Sequence, residues 1–259
     1  MNVEMIVTDL DNTLLNTNKN ISDYTVNILN QCHQIGIKIV FATARTLDLV
    51  QDYLQNIYVD GLITLNGAVL YSGIEVIKRI TFDNEIQRII LNELQNNEQI
   101  IKISGRTGEL TFSTNPSNNK EKFTDFVKDI LPPLSMISFR SNNPKIMSLL
   151  SEKYLLLNIL TVTGENLFDI LPPEATKWKG IQFISSLYKI NKSSIISFGD
   201  DNNDIEMIKN CGIGIAVKNA INEVKKASKF ICDSNDNDGV AKWIEENILK
   251  KMSKNAPTS

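Results

Sequence analysis

Apolar residues run through this chain in two rhythms. Toward both ends, short and mostly apolar runs alternate with stretches whose apolar residues recur at helical spacing. An unbroken run of four to eight apolar residues suits a strand buried on both faces of a parallel sheet. Runs close to this, interrupted by Glu4 in the first and Lys38 in the second, occupy 3–8, 37–42, 61–65, 194–198 and 213–217, with a shorter one at 230–232. Between the first two, Tyr24, Ile28, Leu29 and Cys32 share one helical face, and Gly36 is a stop signal after it. Leu47, Val50 and Leu54 resume the helical spacing. Runs at 68–71 and 74–80 flank Ser72-Gly73 and predict a β-hairpin. Later helices are expected at 177–189, 203–210, 221–227 and 238–250.

The texture changes between 82 and 165. Strands near 99–104, 109–114, 135–140 and 155–161 are amphipathic, and helices are expected at 84–96, 120–130 and 144–153. A turn at Thr163-Gly164 leads into another strand at 166–171. Antiparallel strands with helices on one face make an α+β module. The expected fold class is α/β: a doubly wound, Rossmann-like parallel-sheet core from residues 1–81 and 166–259, with 82–165 inserted as a second domain. Open sheets of this kind place their chemistry at the carboxyl ends of the strands.

Composition narrows the classes. The chain has 259 residues, 42% apolar, so a core needs no disulfide or metal staple. Lys and Arg number 27 against 30 Asp and Glu, a net charge of −3 that disfavours nucleic acid as a partner. Cys32, Cys211 and Cys232 lack close pairs, which argues against a disulfide framework or a zinc knuckle. His33 is the single histidine, so His-based triads are disfavoured. No signal peptide is evident and no apolar run approaches the ~18 residues needed to cross a bilayer. The expectation is a soluble, cytoplasmic protein without a membrane partner.

Four stretches fall at strand ends or helix starts. Asp9 and Asp11, spaced by two, follow the first strand, and in a regular strand both would point into the crevice. Thr43 ends the second run; its commonest role is a helix N-cap. Lys177 stands near a helix start, where a lysine is poorly placed for the helix dipole. Gly199-Asp200-Asp201-Asn202-Asn203-Asp204 carries more aspartates than a capping loop needs. If Asp9, Asp11, Asp200 and Asp204 converge, each pair at about 4 Å repels by about 4 kcal/mol at an effective dielectric of about 20. A hard divalent cation such as Mg2+ would neutralise them and bridge to a phosphate.

Together these residues resemble the haloacid dehalogenase-like phosphohydrolase superfamily. Asp9-Leu10-Asp11-Asn12-Thr13 matches its DxDx[TV] motif, Thr43 its strand-end Ser/Thr, Lys177 its lysine, and the stretch from Gly199 to Asp204 its GDxxND form. The insertion is similar to the C2 cap of Cof-type sugar-phosphate phosphatases, and Leu65-Asn66-Gly67-Ala68 to an NGA stretch found there. Ala44 stands where that family often has glycine, and Trp178 follows Lys177 where glycine is usual, so Lys179 competes for the lysine role.

The resemblance implies Mg2+-dependent hydrolysis of a small phosphomonoester, a sugar phosphate first, through an aspartyl-phosphate. It makes Asp9 the nucleophile and Asp11 the general acid and base. Neighbouring carboxylates would raise the Asp11 pKa toward the acid role. Asp9, the Asp11 carbonyl, Asp200 and Asp204 would hold the ion; Thr43 and Lys177 would bind the phosphoryl oxygens. Asn66, Gly67 and Asn203 would contact phosphate or substrate. Lys102, Arg106 and Arg140 are cations of the insertion able to face an anionic substrate, or ordinary surface charge. A phosphomutase of the same superfamily and a non-catalytic, phospho-accepting module are the competing readings. The leaving group and the oligomeric state stay open.

Overall fold

The structure, a computed structural model, describes residues 2–114, 132–143, 145–161 and 166–251. The helix expected at 120–130 and the turn at Thr163-Gly164 lie outside the described residues. Five strands come first: β1 (Met5–Thr8), β2 (Lys38–Ala42), β3 (Gly61–Thr64), β4 (Val69–Ser72) and β5 (Glu75–Arg79). Five follow in the middle of the chain: β6 (Ile100–Arg106), β7 (Thr111–Thr114), β8 (Met136–Ser141), β9 (Asn158–Thr161) and β10 (Leu167–Leu171). The last three are β11 (Ile195–Gly199), β12 (Ile213–Ala216) and β13 (Phe230–Ile231).

One sheet has the order β13-β12-β11-β1-β2-β3-β4-β5. Its strands are parallel from β13 to β3, and the β4–β5 hairpin closes one edge antiparallel. Strand β1 is fully buried and lies between β11 and β2, so the two ends of the chain meet at its carboxyl end. Helices cover the sheet because their apolar stripes have nowhere else to go. Helix α1 (Asp23–Gln34) buries Thr25, Ile28, Leu29 and Cys32, and Ser22 caps it by accepting from the Thr25 amide. The spacing at Leu47, Val50 and Leu54 yields only a short 3-10 turn, Gln51–Leu54.

The second sheet is antiparallel throughout, in the order β7-β6-β8-β10-β9. One face packs on helices α2 (Asn84–Gln95) and α3 (Ile146–Lys153) through Ile90, Leu94, Ile103, Phe139, Ile146 and Phe168. Strand β10 belongs to this sheet, although its sequence was expected in the core from residue 166 onward. It reads Leu-Phe-Asp-Ile-Leu, a run as apolar as the core strands, and only its pairing with β8 and β9 assigns it.

Among the described residues no helix is long and apolar enough to cross a membrane. The three cysteines are free and buried, and burial pushes each thiol up to about 12.

Candidate active site

The site begins where β1 stops. Asp9 follows Thr8, and the chain then turns sharply through Leu10–Leu14, with Asp11 extended (φ −69°, ψ 124°) and Asn12 left-handed at φ 58°. Asparagine tolerates that region because its short side chain costs little there. The turn separates the two carboxylates. Asp9 faces Lys177, while Asp11 accepts two bonds from Arg45, both 2.7 Å, and one from Lys19 at 2.9 Å. Both carboxylates line one cavity, as a strand-like spacing suggests, but each has its own cationic partner.

Lys177 is the first residue of helix α4 (Lys177–Leu187), whose N-cap Thr176 accepts from the Lys179 amide at 3.1 Å. The Lys177 side chain is 1% exposed. Its Nζ donates to Asp9 Oδ1 and to Asp204 Oδ1, each at 2.6 Å. Burial works against its charge, yet Asp204 and Asp9 together hold its pKa above the ordinary lysine value. Lys179 pairs instead with Glu174 at 2.9 Å on the surface.

Beyond β11 the loop from Gly199 folds onto itself. Asp204 Oδ2 accepts from the amides of Asp200 (2.9 Å) and Asp201 (3.2 Å). Gly199 is required by that approach, since a Cβ there would lie 2.5 Å from Asp204 Cβ. Thr13 Oγ1 donates to Asp200 Oδ1 at 2.7 Å and ties the early loop to the late one. Carboxylate oxygens of Asp9, Asp200 and Asp204 all lie within 4.8 Å of one another. Burial raises the Asp9 carboxyl well above its usual range, with Asp204 and Asp200 adding to the effect and Lys177 opposing it. Asp200 is pushed up to about 7, by burial first and Asp204 next. Three buried carboxylates facing one lysine leave an excess of negative charge, which a hard cation would compensate.

Asp11 is not part of this cluster. Burial acts upward on its carboxyl, but hydrogen bonds from Arg45 and Lys19 prevail and hold it at about 2. The expected upward shift is therefore reversed, because Asp11 has cations rather than carboxylates as neighbours. Arg45 is the residue that sequence reasoning missed. It follows Thr43 by two, and the signal was there: an arginine just past a strand end, beside the acidic stretch. Thr43 Oγ1 accepts from the Arg45 amide at 3.1 Å.

A cavity of about 950 Å3 opens beside the cluster. Asp9, Asp11, Asn66, Asp200 and Asn203 line it; Thr43, Gly67, Lys177 and Asp204 do not. Asn203 Nδ2 donates to Asn66 Oδ1 at 2.9 Å, joining two expected substrate contacts. Gly67 instead packs against helix α4: its φ is +106°, and a Cβ there would meet the Thr176 carbonyl oxygen at 2.1 Å. Of the three cations expected from the insertion, Arg106 lines the cavity, while Lys102 and Arg140 are exposed outside it.

A sequence profile of the haloacid dehalogenase-like hydrolases matches residues 6–244. YxeH of Bacillus subtilis is 27% identical over 272 residues, covering 96% of this chain and 99% of its own. YwtE of the same organism, a 5-amino-6-(5-phospho-D-ribitylamino)uracil phosphatase, is 25% identical, covering 94% and 98%. Among solved structures, BT1666 from Bacteroides thetaiotaomicron, a phosphatase of the haloalkanoate superfamily, superposes with a TM-score of 0.81 at 24% identity, covering 94% of each chain. The subclass IIB sugar phosphatase BT4131 gives 0.78 at 24% identity, covering 94% of this chain and 98% of its own. Those two structures establish a shared fold.

Proposed function

The chain is a phosphatase of the haloacid dehalogenase-like hydrolase family, and from that premise we propose that it hydrolyses a small phosphomonoester, a sugar phosphate first, through an aspartyl-phosphate on Asp9. The observation that carries this reading is the convergence of Asp9, Asp200 and Asp204 within 4.8 Å beside a buried lysine. The relatives support it, since YwtE acts on a phosphorylated ribityl compound and BT4131 on sugar phosphates.

The donor set suits Mg2+. Among the described residues the cluster offers three carboxylates and no thiolate or imidazole. Asp9, Asp200 and Asp204 would hold the ion, with the Asp11 carbonyl as a further ligand. Once bound, Mg2+ would supply positive charge against the phosphoryl oxygens.

In the first step an Asp9 carboxylate oxygen attacks phosphorus, and the bond to the ester oxygen breaks. The departing alkoxide takes a proton from Asp11. In the second step Asp11 removes a proton from water, whose oxygen attacks phosphorus and frees Asp9. The arrangement here, with Asp11 ionised against Arg45, suits the second step. For the first, Asp11 must leave Arg45 and gain a proton. Lys177 orients Asp9 and opposes the upward push of burial on its carboxyl, and Thr43 would contact the phosphoryl group. Residues of the second sheet form part of the cavity wall, which reduces the water around these charges.

Asp9→Asn tests the covalent step. The substitution keeps the shape, and turnover should fall by on the order of a thousandfold or more. Substantial residual phosphate release from the folded variant would remove Asp9 as the nucleophile. Chelation should stop phosphate release reversibly, with Mg2+ restoring it; full activity in excess chelator would remove the cation.

A further inference from the structure

The second sheet lends the cavity Arg106, Met136, Leu160, Thr161, Leu167 and Asp169. Three of its adjacent strands carry a hydrogen-bonded chain. Arg106 Nη1 on β6 donates to Ser138 Oγ on β8 at 2.6 Å, and Ser138 Oγ donates to Asp169 Oδ1 on β10 at 2.6 Å. Ser138 and Asp169 are directly opposite in the antiparallel register. Asp169 is only 4% exposed. Burial pushes its carboxyl up, and Ser138 and Arg106 only partly offset that.

This chain is not needed to hold the strands. Backbone ladders already join β6 to β8 and β8 to β10. A buried carboxylate costs free energy that apolar residues of similar size would not, so its presence on a cavity wall calls for a partner in the cavity. Much of the surrounding wall is apolar, through Met136, Leu160 and Leu167.

The chain's spare capacity defines that partner. Ser138 is used both as acceptor and as donor. Among the described residues, Arg106 keeps further N–H donors and Asp169 its second carboxylate oxygen as an acceptor. Donor and acceptor thus stand side by side with no net charge. A hydroxyl both donates and accepts, so neighbouring hydroxyls satisfy the two together. A second anionic group would be set against Asp169, and an ammonium against Arg106. The apolar residues would face C–H groups of a carbon chain.

We propose that Arg106, Ser138 and Asp169 form the leaving-group subsite, which reads neighbouring hydroxyls of an uncharged sugar or polyol and rejects substrates bearing a second anion. This rests on the phosphatase reading above and names what that phosphatase selects.

The experiment compares three probes on the Mg2+-loaded enzyme: polyol and sugar monophosphates, fructose 1,6-bisphosphate, and para-nitrophenyl phosphate, which carries no hydroxyl. For the native enzyme, kcat/KM on the best uncharged polyol or sugar monophosphate should exceed that on the bisphosphate at least tenfold. In Asp169→Ala and Ser138→Ala, the ratio of kcat/KM on that substrate to kcat/KM on para-nitrophenyl phosphate should fall at least tenfold, mainly through KM. A bisphosphate preference in the native enzyme overturns the proposal without any variant. So does a ratio that stays within twofold in the variants. An enzyme that hydrolyses para-nitrophenyl phosphate but shows no polyol preference sinks this inference alone. One that releases phosphate from no probe sinks the phosphatase reading and this inference with it.

Discussion

Lys177 is the residue on which the charge balance of the site turns. It is buried between Asp9 and Asp204, and removing one partner of a buried pair leaves the other charge uncompensated. Lys177→Met should therefore destabilise the fold by about 3–5 kcal/mol. Urea denaturation in excess chelator checks this, and unchanged stability would mean that the aspartates are neutral without it. Arg45 sets the charge of Asp11 in the same way. The Asp11 pKa is lowered from 3.8 to about 2, so its contribution to stability is present above pH 3.8 and is lost as pH falls through about 2. Arg45→Gln should raise the Asp11 pKa toward its usual value and shrink that loss. Carbon-detected NMR titration of the Asp11 carboxyl reads the shift directly; a pKa that stays near 2 would assign the effect to Lys19 or to the loop backbone.

The turn after β1 and the short turn 65–67 fix where these side chains stand, and both depend on backbone conformations most residues avoid. Leu65 and Asn66 have φ of 48° and 55°, and Gly67 follows at 106°. A methyl group at Gly67 would strike the carbonyl of Thr176, the cap of the helix that carries Lys177. Gly67→Ala should cost at least about 2 kcal/mol and lower kcat by displacing Lys177. Thermal unfolding and steady-state kinetics test it together, and full stability with native kcat would show that the two segments move independently. Such close approaches mark what the sequence leaves hidden. Strands β1, β2, β3, β11 and β12 are legible because a strand buried on both faces must be apolar throughout. Strand β10 has the same texture, yet it belongs to the other sheet, because pairing and not composition decides membership. Asp9, Lys177, Asp200 and Asp204 stand together as their motifs suggest. Asp11 lines the same cavity but stands apart from them, since Arg45 and Lys19 hold its carboxylate. The position of Arg45 just past a strand end was legible, but its pairing with Asp11 was not, because the turn sets it.

The two sheets meet at several places, three of which bear on whether the cavity is covered. Arg79 of the β4–β5 hairpin pairs with Glu109 of the second sheet's β6–β7 loop. Beside it, Gly108 approaches Val69 so closely that a Cβ there would lie 3.2 Å from Cγ2. At the other end, Asn158 Nδ2 donates to the Ala175 carbonyl at 2.9 Å. Both groups of the ion pair are partly exposed, with side-chain accessibilities of 35% and 56%, so the pair contributes at most about 1 kcal/mol. That is small against the stability of either core, but it is of the size that shifts an equilibrium between a covered and an uncovered cavity several-fold. Glu109→Lys replaces the attraction with repulsion while leaving both cores intact. The radius of gyration from small-angle scattering should then rise and kcat/KM should fall several-fold, with the melting temperature little changed. If the radius and kcat/KM both stay at their native values, the closed arrangement is held by the Gly108–Val69 packing and the Asn158 bond instead. The dimensions of the cavity would then be a fixed property of the fold, not one set by motion of the second sheet.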